Sequence, residues 1–550
     1  MGNIIITFII NILIIIFIIN FGKRLRRTVT EIKILNLESI GLDFIVGLTL
    51  IISILFFLDK FLGFKNASYI SLALLVLNKF NLSIFRIKKL CLATLIIFII
   101  LCFFNFQNSD PTFSALTNPN GTHNLVAHSI RAGNLSIYIN ENNYIPSINQ
   151  NLFQSIAGSF LLSFSTLPSI QFNLALLMAA MPISTLCILS LILKMLKIKK
   201  HRMHATICFF LNTTLSTYLV TINDGGSSIS NTRSIDVFLA ICIFFIFLIM
   251  YKYKIYKNHS NKFAFIILNS SLIFSLAISG PQFLMFIIVL FVNFIIISLF
   301  YTKHVPSIYF LKKWIFYSIP IIILPFFLGG FFILESFRDL APIPAIGGLW
   351  DDPMHAHRRI GLRFPFVMSY SENGSHLLSN FLGQPNRILE WPQIQLQYGI
   401  HLLTNMEKVI LSLCTFRHII IPFAGILSPL VMIYHFRTRY SKLVQIQYLS
   451  VLVTSILVFL FAISVEIQAY TWPVTRFMHP AIIIGSISFT FILSYYSEKN
   501  NSFFRNILIK LLIFTLISPG IIHLSNQSFT SGLKEPLIIR NQFLQNSMTK

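Results

Sequence analysis

Long apolar runs recur along this chain and are separated by short clusters of Lys and Arg. Each run of about 17 or more apolar residues can cross the hydrocarbon core of a bilayer as an α-helix, which satisfies its own backbone hydrogen bonds. Only 11% of the 550 residues are charged, against about 25% in an average soluble domain. This composition excludes a soluble globular fold and predicts an all-α, polytopic membrane protein.

We expect about fourteen transmembrane helices, which form a single transmembrane domain over residues 1–550. The predicted spans are 3–21, 40–58, 67–80, 90–106, 172–195, 205–222, 235–251, 263–279, 282–300, 314–334, 415–434, 446–465, 479–496 and 507–524. Basic residues follow the first run and none precedes it, so the N-terminus is expected outside. Of the 42 Lys and Arg, 27 then lie in or beside the predicted cytoplasmic turns, which supports the count.

The positive charges are distributed as expected for residues that set the orientation of membrane helices. The formal net charge is +24, but the cations are scattered over short turns and not gathered into one domain or arm. Nucleic-acid binding is therefore the weaker interpretation. The six Cys form no Cys-x-x-Cys motif, which indicates neither a disulfide framework nor a cysteine metal site. The expected location is a bacterial cytoplasmic (inner) membrane.

Two outer segments are too long to be simple connectors, and we expect short helices in both. The first outer loop covers 107–152 and the second outer loop covers 335–407. Loops of this length usually carry function. Candidate functional residues are therefore sought first in these two segments.

The first outer loop offers a candidate general base. Asp110 opens the loop and Glu141 lies further along it, and either carboxylate would suit proton removal from an acceptor hydroxyl. The alternative for both is a solvated loop acid. His123 and His128 are five residues apart, about 140° round a helix, so they do not form a shared ligand face.

The second outer loop holds the densest polar cluster in the sequence, from Asp351 to Arg359 and on to Arg363. Asp and His are metal ligands, and the guanidinium groups of Arg358 and Arg359 hold phosphate oxygens in pairs. The spacing matches no zinc signature. Three interpretations stay open: an anion or lipid-phosphate site, a metal site, and a solvated loop.

Arg476 is a lone cation at the predicted outer membrane boundary, between the twelfth and thirteenth helices. It either snorkels to lipid headgroups or holds a membrane-embedded phosphate in a pocket. Glu466, ten residues earlier, would neutralise it and count against the phosphate role.

Together these features resemble the integral-membrane glycosyltransferases of the GT-C superfamily. The first outer loop opens with Asp110 and contains His123, His128 and the stretch Ile130-Arg131-Ala132-Gly133, similar to the acid, His and Ile-Arg-x-Gly pattern of many bacterial members. The segment Arg476–Pro480 resembles the Arg-aromatic-x-x-Pro at the start of a late helix in those proteins. The Glu38 entry into the second helix is a further, weaker likeness. The sequence departs from the pattern at 118–122, where no acid precedes His123.

The resemblance implies transfer of a sugar from a polyprenyl-phosphate-linked donor to a glycan or lipid acceptor on the outer face. Asp110 would be the catalytic base, and Arg476 would hold the departing phosphate. The other expected substrate-binding residues are His123, His128, Arg131, Arg358 and Arg359. No cofactor is fixed by the sequence, since some GT-C families use a divalent cation for the phosphate and others use only Arg and Lys.

Two other function classes stay open. An O-antigen-type polysaccharide polymerase or ligase also has many helices and a late outer loop rich in Arg and His. A transporter or flippase usually needs ionisable residues near the membrane midplane and repeat symmetry. Neither is evident here, since Asp43 and Asp236 lie near predicted helix ends.

Overall fold

The computed structural model describes residues 2–29, 37–77, 148–167, 170–195, 198, 200–213, 259–279 and 281–301, with short pieces at 361–362, 446, 449–457, 465–466, 487, 489–494, 507 and 509–514. This part of the chain is helical. Its one β-pairing is a two-residue antiparallel ladder between β1 (Gly361–Leu362) and β2 (Val465–Glu466).

Eight helices have defined bounds among the described residues. They are α1 (Gly2–Val29), α2 (Leu37–Leu62), α3 (Phe64–Leu77), α4 (Ile148–Leu162), α5 (Ile170–Met195), α6 (His201–Thr213), α7 (His259–Ser279) and α8 (Pro281–Tyr301). Seven of them lie where hydropathy predicted helices. The predicted helices at 90–106, 235–251, 314–334 and 415–434 lie outside the described residues.

Two of the described helices, Gly2–Arg27 and Ser39–Asp59, are long and apolar enough to cross a membrane. The first is 28% buried and the second is 83% buried. α2 packs against α1, α3, α5 and α7, so it is the central helix of the described bundle. α1 ends at Val29, eight residues beyond the predicted run 3–21, and its last turn contains basic residues. This extension is favourable because cations stabilise a helix C-terminus.

The exposed side of α1 is apolar, and its buried side is partly polar. Ile5 and Ile9 are 56% and 50% exposed, whereas Thr7 and Asn11 are buried. α3 has the same pattern, with Leu77 exposed and serines inside. A water-soluble helix shows the opposite arrangement. These helices therefore present hydrocarbon-compatible surfaces outward.

Many buried hydroxyls bond to a carbonyl of their own helix, usually four residues earlier. Thr49 donates to the carbonyl of Ile45 at 2.8 Å, and Ser53 donates to that of Thr49 at 2.8 Å. Ser68, Ser184, Thr185, Ser450 and Ser455 do the same. A helix can thus bury Ser and Thr without needing water or a partner helix.

α4 was not among the predicted helices. Its first half contains Asn149, Asn151 and Gln154, so no run of 17 apolar residues marks it. Its second half is buried, and it packs on α5 and α7. α4 begins within the last five residues of the predicted first outer loop, 107–152, in which short helices are expected.

Candidate functional site

The residues predicted to carry chemistry lie outside the described part of the chain. They are Asp110, His123, His128, Arg131, Arg358, Arg359 and Arg476. Glu141, the Asp351–Asp352 pair and Arg363 also lie outside it. Their roles stay predictions, and the described residues contribute the framework into which the loops connect.

The β-ladder joins two of the sequence regions singled out for function. Gly361 pairs with Glu466, and Leu362 pairs with Val465. Gly361 and Leu362 lie between Arg359 and Arg363, and Glu466 lies ten residues before Arg476. Val465, the last residue of the predicted helix 446–465, therefore lies in a strand, and backbone pairing brings 361–362, within the predicted second outer loop, to 465–466.

A polar seam joins the first turns of α1 to the connection between α4 and α5. Thr7 Oγ1 lies 3.1 Å from Thr166 Oγ1 and 3.3 Å from Ser165 Oγ. The Nδ2 of Asn11 donates to the Oδ1 and the backbone oxygen of Asn173, at 3.2 and 3.3 Å. We call these five residues the amide end of α1.

The amide end is tied to α3 and to the start of α5. Ser163 Oγ donates to Ser68 Oγ on α3 at 3.5 Å, and the ring of Tyr69 packs edge-on against Phe164. Asn173 Nδ2 donates to the Leu167 carbonyl at 3.3 Å. The segment that directly follows α4 is thus held by hydrogen bonds to α1, α3 and α5.

Near the opposite end of α1, an ion pair joins it to α2. Arg26 Nε donates to Asp43 Oδ1 at 2.5 Å, and Nη2 donates to Oδ2 at 3.3 Å. The two side chains are only 4% and 2% exposed. This fork-to-fork arrangement satisfies both carboxylate oxygens and two guanidinium nitrogens.

Glycines allow the backbones of α1 and α2 to meet beside this pair. A Cβ at Gly22 would clash with the Asp43 carbonyl and come within 2.6 Å of the Gly47 nitrogen, and a Cβ at Gly47 would clash with the Ile18 carbonyl. Residue numbers fall along α1 as they rise along α2, so the helices are antiparallel. We call Gly22, Arg26, Asp43 and Gly47 the charged end.

The chemistry available in these two places differs. The amide end offers hydroxyl and amide groups, and the charged end offers a cation already held by its counter-ion. Among the described residues no group of three or more His, Cys, Asp or Glu is placed to hold a metal ion. Cys187 and Cys208 are buried thiols.

The amide end lies outside the residues predicted to carry chemistry, and Asp43 is predicted only as an acid near a helix end. One signal was available. Thr7, Asn11, Ile14, Ile18, Gly22 and Arg26 recur every three or four residues, which places them on one helix face. Polar and small residues on such a stripe mark the packed side of a membrane helix.

The comparisons with known proteins assign the chain to no family. No family model, curated protein or solved structure matches it.

Proposed function

We propose that the chain is a multi-pass protein of the cytoplasmic membrane, with its N-terminus outside. The observation that carries this proposal is the reversed polarity of α1, which exposes Ile5 and Ile9 while burying Thr7 and Asn11. In water this arrangement would leave apolar side chains solvated, and in a bilayer it places them in lipid. The basic turns after α1 and α5 then lie in the cytoplasm.

Cysteine labelling tests this topology. In a chain whose six native cysteines are replaced by alanine, Thr122→Cys and His355→Cys should react with a membrane-impermeant maleimide in intact cells. Lys200→Cys should react only after the membrane is permeabilised. Labelling at position 355 from the cytoplasmic side alone would overturn the layout.

We further propose that this membrane protein is a glycosyltransferase that uses a polyprenyl-phosphate-linked sugar. In this mechanism Asp110 removes the proton from the acceptor hydroxyl, whose oxygen attacks the anomeric carbon of the sugar. The bond to the lipid phosphate breaks, and Arg476 stabilises the phosphate that departs. The loop residues Arg131, Arg358 and Arg359 bind the substrates, together with His123 and His128.

Two features of the described framework support placing the substrates between the two long loops. The predicted first outer loop runs into α4, and the segment directly after α4 is hydrogen-bonded to α1 and α3. The β-ladder links Gly361, in the second loop, to Glu466, ten residues before Arg476. Binding and catalytic residues are often carried by loops that a rigid scaffold positions.

Two substitutions separate the proposed roles. Asp110→Asn keeps the shape but removes the base, so turnover should fall by about 10²-fold or more while donor binding survives. Arg476→Lys keeps the charge but loses the fork, so it should mainly weaken donor binding. The assay is sugar transfer from a synthetic polyprenyl-phosphate donor in proteoliposomes, with Glu141→Gln as the matched loop-acid control. Transfer at the parental rate by Asp110→Asn would remove Asp110 from the mechanism.

A second candidate is a polysaccharide polymerase or ligase of the O-antigen type. It is favoured by the Arg358–Arg363 cluster and by the pairing of Gly361 and Leu362, within that cluster, with Val465 and Glu466. Product length separates the two enzymes, since a polymerase yields a ladder of repeats and a transferase adds one sugar. A polyprenyl lipid that co-purifies with the chain would support either enzyme over a transporter.

A further inference from the structure

Exposed cations gather at one end of the helical bundle. Arg24 and Arg27 lie on the last turns of α1, and Lys194 lies at the end of α5. Lys200 directly precedes α6, and Arg202 lies in its first turn. All five side chains are exposed. We call this set the basic patch.

The contacts between helices place these residues at the same end. Arg26 binds Asp43 near the start of α2. A Cβ at Gly41, two residues earlier, would lie 2.6 Å from Cys187 Cβ and 2.9 Å from Ser184 Cα, so α5 also approaches the start of α2. The first turns of α5 instead meet Asn11, near the other end of α1. The C-terminal turns of α1 and α5 therefore point the same way.

The nearest buried carboxylate does not offset the patch. Both oxygens of Asp43 are taken by buried Arg26. Among the described residues, no carboxylate forms an ion pair with Arg27, Lys194 or Lys200. In the sequence, the segments 23–43 and 194–202 hold ten Lys or Arg and three Asp or Glu. The patch thus carries net positive charge.

We propose that the basic patch binds the headgroups of anionic phospholipids in the cytoplasmic leaflet. The apolar helices fix the patch at the hydrocarbon boundary, which is the depth of the lipid phosphates. Arg pairs with phosphate oxygens bidentately and Lys acts as a point charge. Juxtamembrane cations attract an anionic leaflet within about one Debye length. This inference rests on the proposed membrane insertion and is independent of sugar transfer.

Spin-label spectroscopy on the full chain tests the proposal. The protein is reconstituted in phosphatidylcholine vesicles that contain trace phosphatidylglycerol or phosphatidylcholine spin-labelled on the acyl chain. The measured quantity is the ratio of motionally restricted phosphatidylglycerol to phosphatidylcholine. We expect a preference of about twofold or more at low salt, which falls towards one in about 1 M salt, where the Debye length is about 3 Å.

The triple variant Arg27→Gln, Lys194→Gln, Lys200→Gln should lose most of this preference. Lys194→Gln and Lys65→Gln form a matched pair of single variants, since both lysines are exposed and Lys65 lies on α3 at the opposite end. Only the first should lower the ratio. A parental ratio in the triple variant, or a ratio that salt leaves unchanged, would overturn the proposal. If phosphatidylcholine itself were not restricted, membrane insertion would be wrong instead.

Discussion

The two ends of α1 are held by different chemistry. At the amide end, neutral groups share hydrogen bonds of 3.1 to 3.3 Å with the connection before α5 and with Asn173. At the charged end, one buried Arg binds one buried Asp, and two glycines bring the backbones of α1 and α2 together. The first arrangement spreads its bonds over several partners, and the second concentrates them in one pair.

This difference predicts unequal sensitivity to substitution. Interhelical hydrogen bonds between neutral groups in membranes average about 0.6 kcal/mol, because the unfolded helix finds other partners. Removal of one member of a buried ion pair costs about 3–5 kcal/mol, because the remaining charge is uncompensated. The charged end should therefore contribute most to fixing the register of α1 on α2, and the amide end should contribute less.

The largest effect is expected for Asp43→Ala, which leaves Arg26 buried without its counter-ion. The free energy of unfolding should fall by about 3–5 kcal/mol. Denaturing-detergent titration of the purified full chain in micelles measures it. The double variant Arg26→Met, Asp43→Leu removes both charges and should recover most of the loss. A double variant as unstable as the single one would show that packing, and not the unpaired charge, causes the loss.

A smaller loss is expected for Gly22→Ala. The new methyl group would meet the backbone of Asp43 and Gly47, so the helices must move apart, at a cost of about 1–3 kcal/mol for overpacking. The same titration measures it. Gly2→Ala is the control, since nothing lies within 4 Å of a Cβ there. Equal stability of the two variants would contradict the close approach of α1 and α2.

The smallest effect is expected for Asn11→Leu at the amide end. It removes two bonds to Asn173 and should cost about 0.6 kcal/mol. A double-mutant cycle with Asn173→Leu isolates the shared energy. Asn66→Leu is the control, since that exposed amide donates to the Leu62 carbonyl, four residues earlier, and not to a distant helix. A loss as large as that of Asp43→Ala would erase the contrast between the two ends.

Hydropathy predicted the described helices well but not their ends. The runs predicted at 40–58 and 172–195 are the helices Leu37–Leu62 and Ile170–Met195. The break between α2 and α3 is a single residue, Gly63, whose φ of 72° suits glycine. The length of an apolar run indicates the part of a helix that can lie in hydrocarbon, whereas the helix itself continues into the polar residues on either side of the run.

The helix α4 shows where the pattern fails. Its burial comes from α5 and α7, and its own first half is polar, so no property of the segment alone marks it. The candidate site was also only partly predictable. Loop acids and cations identify themselves by residue type, but the pairing of Gly361 with Glu466 joins positions more than a hundred residues apart.

The sequence by itself determined that this protein is built of apolar helices with basic turns, because both hydrophobicity and backbone hydrogen bonding within a helix are local properties. Only the tertiary structure decided which residues of other helices each buried face meets. The partner of Arg26 is Asp43 because Gly22 and Gly47 let two backbones touch there. The partner of Asn11 is Asn173, 162 residues away, because the connection from α4 brings α5 to the first turns of α1. Such pairings depend on packing, which no single segment encodes.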